Sequence, residues 1–268
     1  MPSWDAEVYS AFADERSRPF TDLLARVRAD DARRVVDLGC GPGPLTAGLA
    51  VRWPGAEVLG VDSSTAMIDA ARPHAGPRVS FVLADLADLA AWAPAEPLDV
   101  VLSNAALQWV PDHRALLPAL VDLLADGGWL AFQVPGNHDA PSHRALRAVA
   151  AQEPFAEHTA GVTRTAVAEP ADYLGDLAGL GCEVDAWETT YLHVLAGPDP
   201  VLHWLEGTGA RPYVDALPDP LRPAFTAALR DRLAEAYPAR PWGTVLPFRR
   251  LFVVARRGAG TRPRGGGR

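Results

Sequence analysis

The chain contains no lysine: all 25 basic residues are arginine. This excludes a Schiff-base lysine, a Walker-type phosphate lysine and a lysine general base. The abundance of Ala, Arg, Gly and Pro beside that absence fits a genome rich in G and C. Cysteine is scarce too. Cys40 and Cys182 are the only two, neither lies in a CxxC pair, and two are too few for a disulfide scaffold or a cysteine-rich zinc site. A cytoplasmic location is the default expectation. No apolar run approaches the ~18 residues of a membrane span. The opening MPSWDAEVYSAFADERSRP is too polar for a signal peptide. Excess positive charge is missing as well: the net charge is −8, which argues against sequence-independent nucleic-acid binding. The one basic cluster (Arg256, Arg257, Arg262, Arg264, Arg268) is mixed with Gly and Pro, so 258–268 read as a disordered tail. The seven histidines show no metal-ligand spacing, and no metal is expected.

What is present is a rhythm. Apolar β-type runs at 34–39, 57–62, 79–84, 98–103 and 129–134 alternate with helical patterns. These helical patterns cover about 45–53, the stretch through Met67 and Ile68, and Asp112 to Leu124, with Gly127-Gly128 ending the last. The alternation implies an α/β fold, a doubly wound and mostly parallel sheet with helices on both faces. Ligands of such sheets bind at the carboxyl ends of the strands. The second half predicts helices over Ser142–Ala151 and Pro170–Leu180, a strand at 183–195, a mostly helical stretch from about Pro200 to Tyr237 and a last strand at 248–255. At 268 residues, a single domain over 1–257 with a lid-like insertion at about 196–243 accommodates this order.

The strongest local signal is VVDLGCGPG at 35–43, where an apolar strand runs into Asp37 and then Gly39, Gly41 and Gly43 at alternate positions. Glycines let the backbone approach a ligand, and the next helix aims its N-terminus at it. Dinucleotide sites use G-x-G-x-x-G and pyrophosphate there, whereas this spacing is G-x-G-x-G. A carboxylate at Asp37 repels pyrophosphate and suits a cationic ligand, such as the amino group and sulfonium of S-adenosylmethionine. A purely structural turn needs fewer glycines and no acid. Asp62 ends the second strand, where an acid accepts hydrogen bonds from both hydroxyls of a ribose. Helix capping is the competing role, and Ser63 or Ser64 fills it without Asp62. Asp85 closes the third strand, as a partner for an adenine amino group or as an ordinary loop carboxylate. The fourth strand ends in SNAALQW, which places Asn104 where a reactive methyl sits and Trp109 as a pocket wall or as core packing.

Asp-x-Gly-x-Gly-x-Gly followed by acids closing the next two strands resembles the pattern of class I S-adenosylmethionine-dependent methyltransferases. The segments WDAEVYSAFADERSRP, VDLGCGPG, GVDSSTAMI, SNAALQWVPDH, GCEVDAWETTYLH, TGARPYVDAL and FRRLFVVARR together resemble the trans-aconitate 2-methyltransferase family, from about Trp4 to Arg257. The glycine motif is specific to the superfamily only; the flanking segments carry the narrower likeness. The resemblance implies a seven-stranded Rossmann-like methyltransferase sheet with a helical insertion before the last strand. It implies methyl transfer from S-adenosylmethionine to a carboxylate of trans-aconitate, giving a monomethyl ester and S-adenosylhomocysteine. The implied cofactor residues are Tyr9, Arg18, Asp37, Gly39, Gly41, Gly43, Asp62, Ser63, Met67, Asp85, Leu86 and Asn104, with Tyr9 and Arg18 on the methionine carboxylate.

A carboxylate is ionised at neutral pH and needs no general base. The enzyme must hold nucleophile, methyl and sulfur in line, so no catalytic residue is required beyond positioning. Cationic clamps are required, and arginine does this best through its bidentate fork. Arg211, in the glycine-rich GTGARPY, and Arg250, which shares strand parity with Phe252 and Val254, are the leading candidates. Arg16, Arg18 and Arg249 compete with them, and Tyr191, Trp109 and His138 are further substrate contacts. The partner expected is a small tricarboxylate, not nucleic acid or a membrane, and the chain is expected to be a monomer. Competing readings are a carboxyl methyltransferase for another small acid or a carrier-bound malonyl-type thioester, a nicotinamide-dependent oxidoreductase, and a non-catalytic S-adenosylmethionine-binding protein.

Overall fold

The computed structural model describes residues 13–162 and 166–260. Tyr9, and the tail beyond residue 260, lie outside the described residues. A helix α1 (Ala13–Leu24) precedes β1 (Arg34–Leu38), α2 (Pro44–Arg52), β2 (Glu57–Asp62), α3 (Thr65–Ala71), β3 (Val79–Leu83), α4 (Leu89–Trp92), β4 (Leu98–Asn104), α5 (His113–Asp122) and β5 (Leu124–Pro135). Then come α6 (Pro141–Ala150), α7 (Ala156–Thr159), α8 (Pro170–Gly179), β6 (Cys182–Leu195), α9 (Pro200–Glu206), α10 (Arg211–Ala216), α11 (Arg222–Ala236) and β7 (Thr244–Arg257). The sheet order is β3-β2-β1-β4-β5-β7-β6. The β1, β2, β3, β4 and β5 pairings are parallel, and β7 runs antiparallel to β5. This is the doubly wound α/β sheet that the alternating pattern implies, with the reversal of order at β1 and β4 where the carboxyl ends open a crevice.

The chain falls into two compact units. Among the described residues, one holds Ala13–Pro135, Ala168–Thr189 and Arg250–Gly260. Its core is the apolar residues of the central strands, Val35, Val36, Leu38, Val58, Val61, Val100, Val101, Leu102, Leu130 and Phe132, each almost wholly buried. A strand covered on both faces reads as a continuous apolar run, which is why β1 and β4 were legible. The other unit holds Gly136–Val167 and Thr190–Arg249. In it α11 packs on α6, burying Phe225, Leu229 and Leu233 with Leu146 and Val149.

Two local expectations change. The helix α5 stops at Asp122, five residues before Gly127, and β5 begins at Leu124. The glycines instead sit in an irregular start of β5, where the pairing with β4 shifts between Leu98 and Val100. A Cβ on Gly128 would lie 2.9 Å from the Leu98 and Ala125 carbonyls, so glycine there permits close strand approach. What ends α5 is Arg257. Its buried guanidinium donates from Nη1 to the carbonyls of Val121, Asp122 and Leu124 at 2.9, 3.1 and 2.8 Å. A cation on the last carbonyls opposes the helix dipole and satisfies otherwise orphaned acceptors. Arg257→Leu is expected to destabilise the protein by about 2–3 kcal/mol in a urea titration, because three buried carbonyls lose a charged donor. A change under about 0.5 kcal/mol, the level of an ordinary surface substitution, would show that water replaces it freely.

Candidate functional site

At the end of β1 the backbone turns sharply. Gly39 and Gly41 have φ of 78° and 55°, in the left-handed region. The Gly39 and Cys40 amides both donate to the Val61 carbonyl at the end of β2, at 2.8 and 3.1 Å. The two glycines differ in what a side chain would meet. A Cβ on Gly39 would stand 2.1 Å from the Ala106 Cβ, an impossible contact, whereas one on Gly41 meets nothing within 4 Å. Gly39 therefore lets the turn after β4 close against the loop, and Gly41 faces open space.

Asp37, Asp62 and Asp85 have different surroundings. Asp37 is 3 % exposed and accepts a hydrogen bond from Thr46 Oγ1 at 2.6 Å. Burial pushes its carboxyl up to about 6, offset in part by the Thr46 hydrogen bond and reinforced by the Asp62 charge. Asp62 Oδ2 accepts from the Gly41 amide at 3.0 Å and Oδ1 from the Ser64 amide at 2.9 Å. Burial raises its carboxyl, and these backbone hydrogen bonds oppose the rise. Ser64, not Asp62, caps α3, accepting from the Met67 amide at 3.4 Å. Asp62 is thus a second strut for the glycine loop. Asp85 is exposed and turns its Oδ1 back to the Ala87 amide at 2.9 Å. Ser63 is exposed, while Met67 and Leu86 are buried. The Cys40 thiol is pushed far up by burial and by the Asp37 and Asp62 charges, so it stays protonated and is no nucleophile.

The end of β4 carries strain. Ala105 has φ of 57°, a conformation that costs a non-glycine residue about 1–3 kcal/mol and is typical of functional sites. Ser103 Oγ donates to the Leu38 carbonyl at 2.9 Å, tying this end to β1. Asn104 is half-buried and its Oδ1 accepts from Gln133 Nε2 at 2.6 Å. Gln133 in turn accepts from Arg250, which is 4 % exposed. Trp109 is half-buried at the end of the 3-10 turn Leu107–Trp109. Arg18 is exposed on α1. Sequence reasoning missed Thr46, Ser103 and Gln133. Thr46 was findable, since it lies one turn into the helix that follows the glycines; Ser103 and Gln133 read as ordinary strand residues.

Within the other unit, Tyr191 is 2 % exposed and stacks with His193 at 6.2 Å between ring centres. His193 stacks on Trp204 at 4.8 Å, and Trp204 tilts against Phe248 at 5.4 Å. Arg211, within the glycine-rich GTGARPY, is the first residue of α10. Its Nε lies 3.3 Å from Asp215 one turn on. Pro212 explains this, because its locked φ suits a helix start. His138 is half-buried, and its carbonyl accepts from Arg147 Nη1 at 2.6 Å. A groove of about 750 Å³ in the sheet unit, lined by Arg26, Trp129, Trp187 and Arg256 among others, contains none of the cofactor or substrate residues expected from the sequence.

Residues 12–172 match the model of a methyltransferase domain. A protein of Streptomyces avermitilis named trans-aconitate 2-methyltransferase is 51% identical over 97% of this chain and 98% of its own length. One of the same name from Mycobacterium tuberculosis is 48% identical over 98% and 100%. Among solved structures, the chain is similar to a Bacillus subtilis protein (TM-score 0.57, 12% identity, 91% of this chain and 100% of that one). It is also similar to a methyltransferase of Thiobacillus denitrificans solved with S-adenosyl-L-homocysteine (TM-score 0.52, 20% identity, 90% and 91%).

Proposed function

The chain belongs to the methyltransferase domain family, and from that premise we propose that it transfers a methyl group from S-adenosylmethionine to a carboxylate of trans-aconitate, giving the monomethyl ester and S-adenosylhomocysteine. The observation that carries the substrate is the roughly half identity, over nearly the whole of both chains, to proteins named trans-aconitate 2-methyltransferase. The residues at the loop fit the cofactor. Asp37 is a buried carboxylate, suited to a cationic ligand, and the bare Cα of Gly41 faces open space that any side chain would fill. S-adenosylmethionine supplies an electrophilic methyl on sulfur. In this reading Asp37 faces its positive charge and Asp62 accepts from the ribose hydroxyls while still holding the Gly41 amide. Asp85 serves the adenine amino group with Ser63, Met67 and Leu86 around it, and Tyr9 and Arg18 serve the methionine carboxylate.

The acid arrives ionised, so no residue need remove a proton from it. Arg211 and Arg250 oppose its negative charges, with Tyr191, His138 and Trp109 as further contacts. The protein then works by alignment and by excluding misoriented carboxylates. We read the chain as a cytoplasmic monomer; no helix of the described residues is long and apolar enough to cross a membrane.

The deciding experiment is methyl transfer from radiolabelled S-adenosylmethionine to a panel of di- and tricarboxylic acids, read as base-labile methyl ester. Selective labelling of trans-aconitate is the expected result; selective labelling of another acid overturns the substrate and keeps the reaction. Arg211→Ala is expected to lower kcat/KM for the acid ~10- to 100-fold with cofactor affinity unchanged, as for loss of one charged hydrogen bond. Loss of cofactor binding instead would remove Arg211 from the acid site.

A further inference from the structure

Three side chains, near the carboxyl ends of β4 and β5 and midway along the antiparallel β7, form one polar line. Arg250 donates from Nη1 to Gln133 Oε1 at 3.2 Å, and Gln133 donates from Nε2 to Asn104 Oδ1 at 2.6 Å. The sheet register brings them together: Asn104 pairs with Gln133 across β4 and β5, and Arg250 pairs with Pro135 across β7 and β5. Gln133 is fully buried and Arg250 nearly so.

The chemistry of the line gives it a direction. A guanidinium only donates, while a primary amide has one accepting end and one donating end. Arg250 therefore compels Gln133 to turn its oxygen toward β7. The Gln133 nitrogen must then face Asn104, and Asn104 must answer with its oxygen. The donor character of a buried cation is relayed through two amides, and the end of the relay is the Asn104 amide nitrogen. That nitrogen belongs to the last residue of β4, beside strained Ala105 and two residues before Ala106, which abuts Gly39 of the glycine loop.

We propose that Gln133 is a positioning residue which, oriented by Arg250, locks Asn104 with its amide nitrogen outward as a hydrogen-bond donor to a reactant carboxylate. The inference rests on the reading of this site as one that takes carboxylate-bearing reactants. Both the acceptor acid and the amino-acid end of the methyl donor carry such a group. An Asn104 turned the other way would offer its oxygen, which repels a carboxylate. Nothing in Asn104 itself chooses between these orientations; Gln133 and Arg250 choose.

The test uses Gln133→Glu in the full chain, a nearly isosteric change that reverses the relay. One glutamate oxygen still accepts from Arg250, and the other now forces Asn104 to turn its nitrogen inward and its oxygen outward. The measurements are kcat and KM for trans-aconitate, the Kd of S-adenosylhomocysteine by calorimetry, and Tm. The expected result is an unchanged or higher Tm with a ~10-fold or greater loss, the usual scale for a charged hydrogen bond. If the loss falls on the acid with product affinity intact, the carboxylate is the acceptor's. If it falls on S-adenosylhomocysteine, it is the methyl donor's. Asn104→Asp tests the same polarity without touching the buried pair, since it keeps an acceptor toward Gln133 and points a second one outward; it should show the same loss. In the Gln133→Glu background, Asn104→Ala should cost nothing further, whereas alone it costs the full amount. Additive losses, or neither Gln133→Glu nor Asn104→Asp changing any of these constants, would overturn the proposal. Should the unaltered protein methylate no acid, the functional reading fails, and product affinity in the two variants still decides this inference: a fall upholds it and no change rejects it.

Discussion

Gly39→Val is expected to unfold about 3–5 kcal/mol more readily than the unaltered chain, combining the strain of an overpacked contact with the cost of a left-handed branched residue. It is also expected to bind no measurable S-adenosylhomocysteine. The geometry allows no escape. The new Cβ would sit 2.1 Å from the Ala106 Cβ, which belongs to the turn after a central strand and is not the movable tip of a long side chain. Either the glycine loop lifts off β4 or the strained Ala105 turn is pushed away, and both moves take apart the cofactor side of the site. Gly41→Ala is the control. Its Cβ meets nothing, so its cost is the positive φ alone, about 1–2 kcal/mol. That variant should stay folded at room temperature while its cofactor affinity falls, because the methyl occupies space the ligand needs. Urea unfolding and calorimetry on both variants check this. A well-folded Gly39→Val with ordinary affinity would mean that the loop and the β4 turn are not in the contact described.

The second large effect concerns Asp37. Its carboxyl is pushed up to about 6 by burial, from 3.8 as an ordinary aspartate. Below about pH 4 the group is protonated in the folded and unfolded protein alike, and burial costs nothing. Between about pH 4 and 6 the unfolded chain ionises while the folded carboxyl keeps its proton, so stability from this group is lost across that window; above 6 both states are ionised and it stays lost. A ligand bearing positive charge reverses the preference, since it binds the ionised form. Cofactor affinity should therefore be flat above about pH 6.5 and fall below 6, approaching tenfold per unit, with proton release on binding near pH 5.5. Asp37→Asn should abolish this dependence and weaken binding ~30-fold or more at pH 7.5, the scale of a lost buried charge pair. The same variant should raise the stability of the unliganded protein near neutral pH, because the burial penalty disappears. Calorimetry in buffers of different ionisation enthalpy reads the proton directly. Cofactor binding that strengthens as pH falls through 6 would place the positive charge elsewhere.

Particular residues show why some of this was readable in advance. The strands β1 and β4 announce themselves because burial on both faces keeps most of their positions apolar in an unbroken run (Val35-Val36, Val100-Val101-Leu102). The glycine loop is readable because its requirement is local: backbone conformation and steric room are properties of a few successive residues. Arg211 opens a helix despite its glycine-rich neighbourhood because Pro212, whose ring favours a helix start, follows it. Gly127-Gly128 reads as a helix stop because the residue that caps the helix end, Arg257, lies 133 positions from Leu124 along the chain. No window of sequence contains both.

The sequence by itself determined the order of the seven strands and of most helices between them, though not α1, α4 or α7, together with the tight turn after β1 and the acids that close the strands beside it. These follow from periodicity and from the stereochemistry of single residues, which need no distant partner. Only the tertiary structure decided what those acids and amides do. Asp37 holds its proton to about pH 6 because the sheet excludes water from it. Asp62 braces the Gly41 amide because β2 ends beside β1. Asn104 has a polarity because β7 returns antiparallel to set Arg250 two side chains away, across 117 residues from Gln133. Desolvation, hydrogen-bond direction and charge proximity depend on distances in space, and chain connectivity alone leaves those distances open.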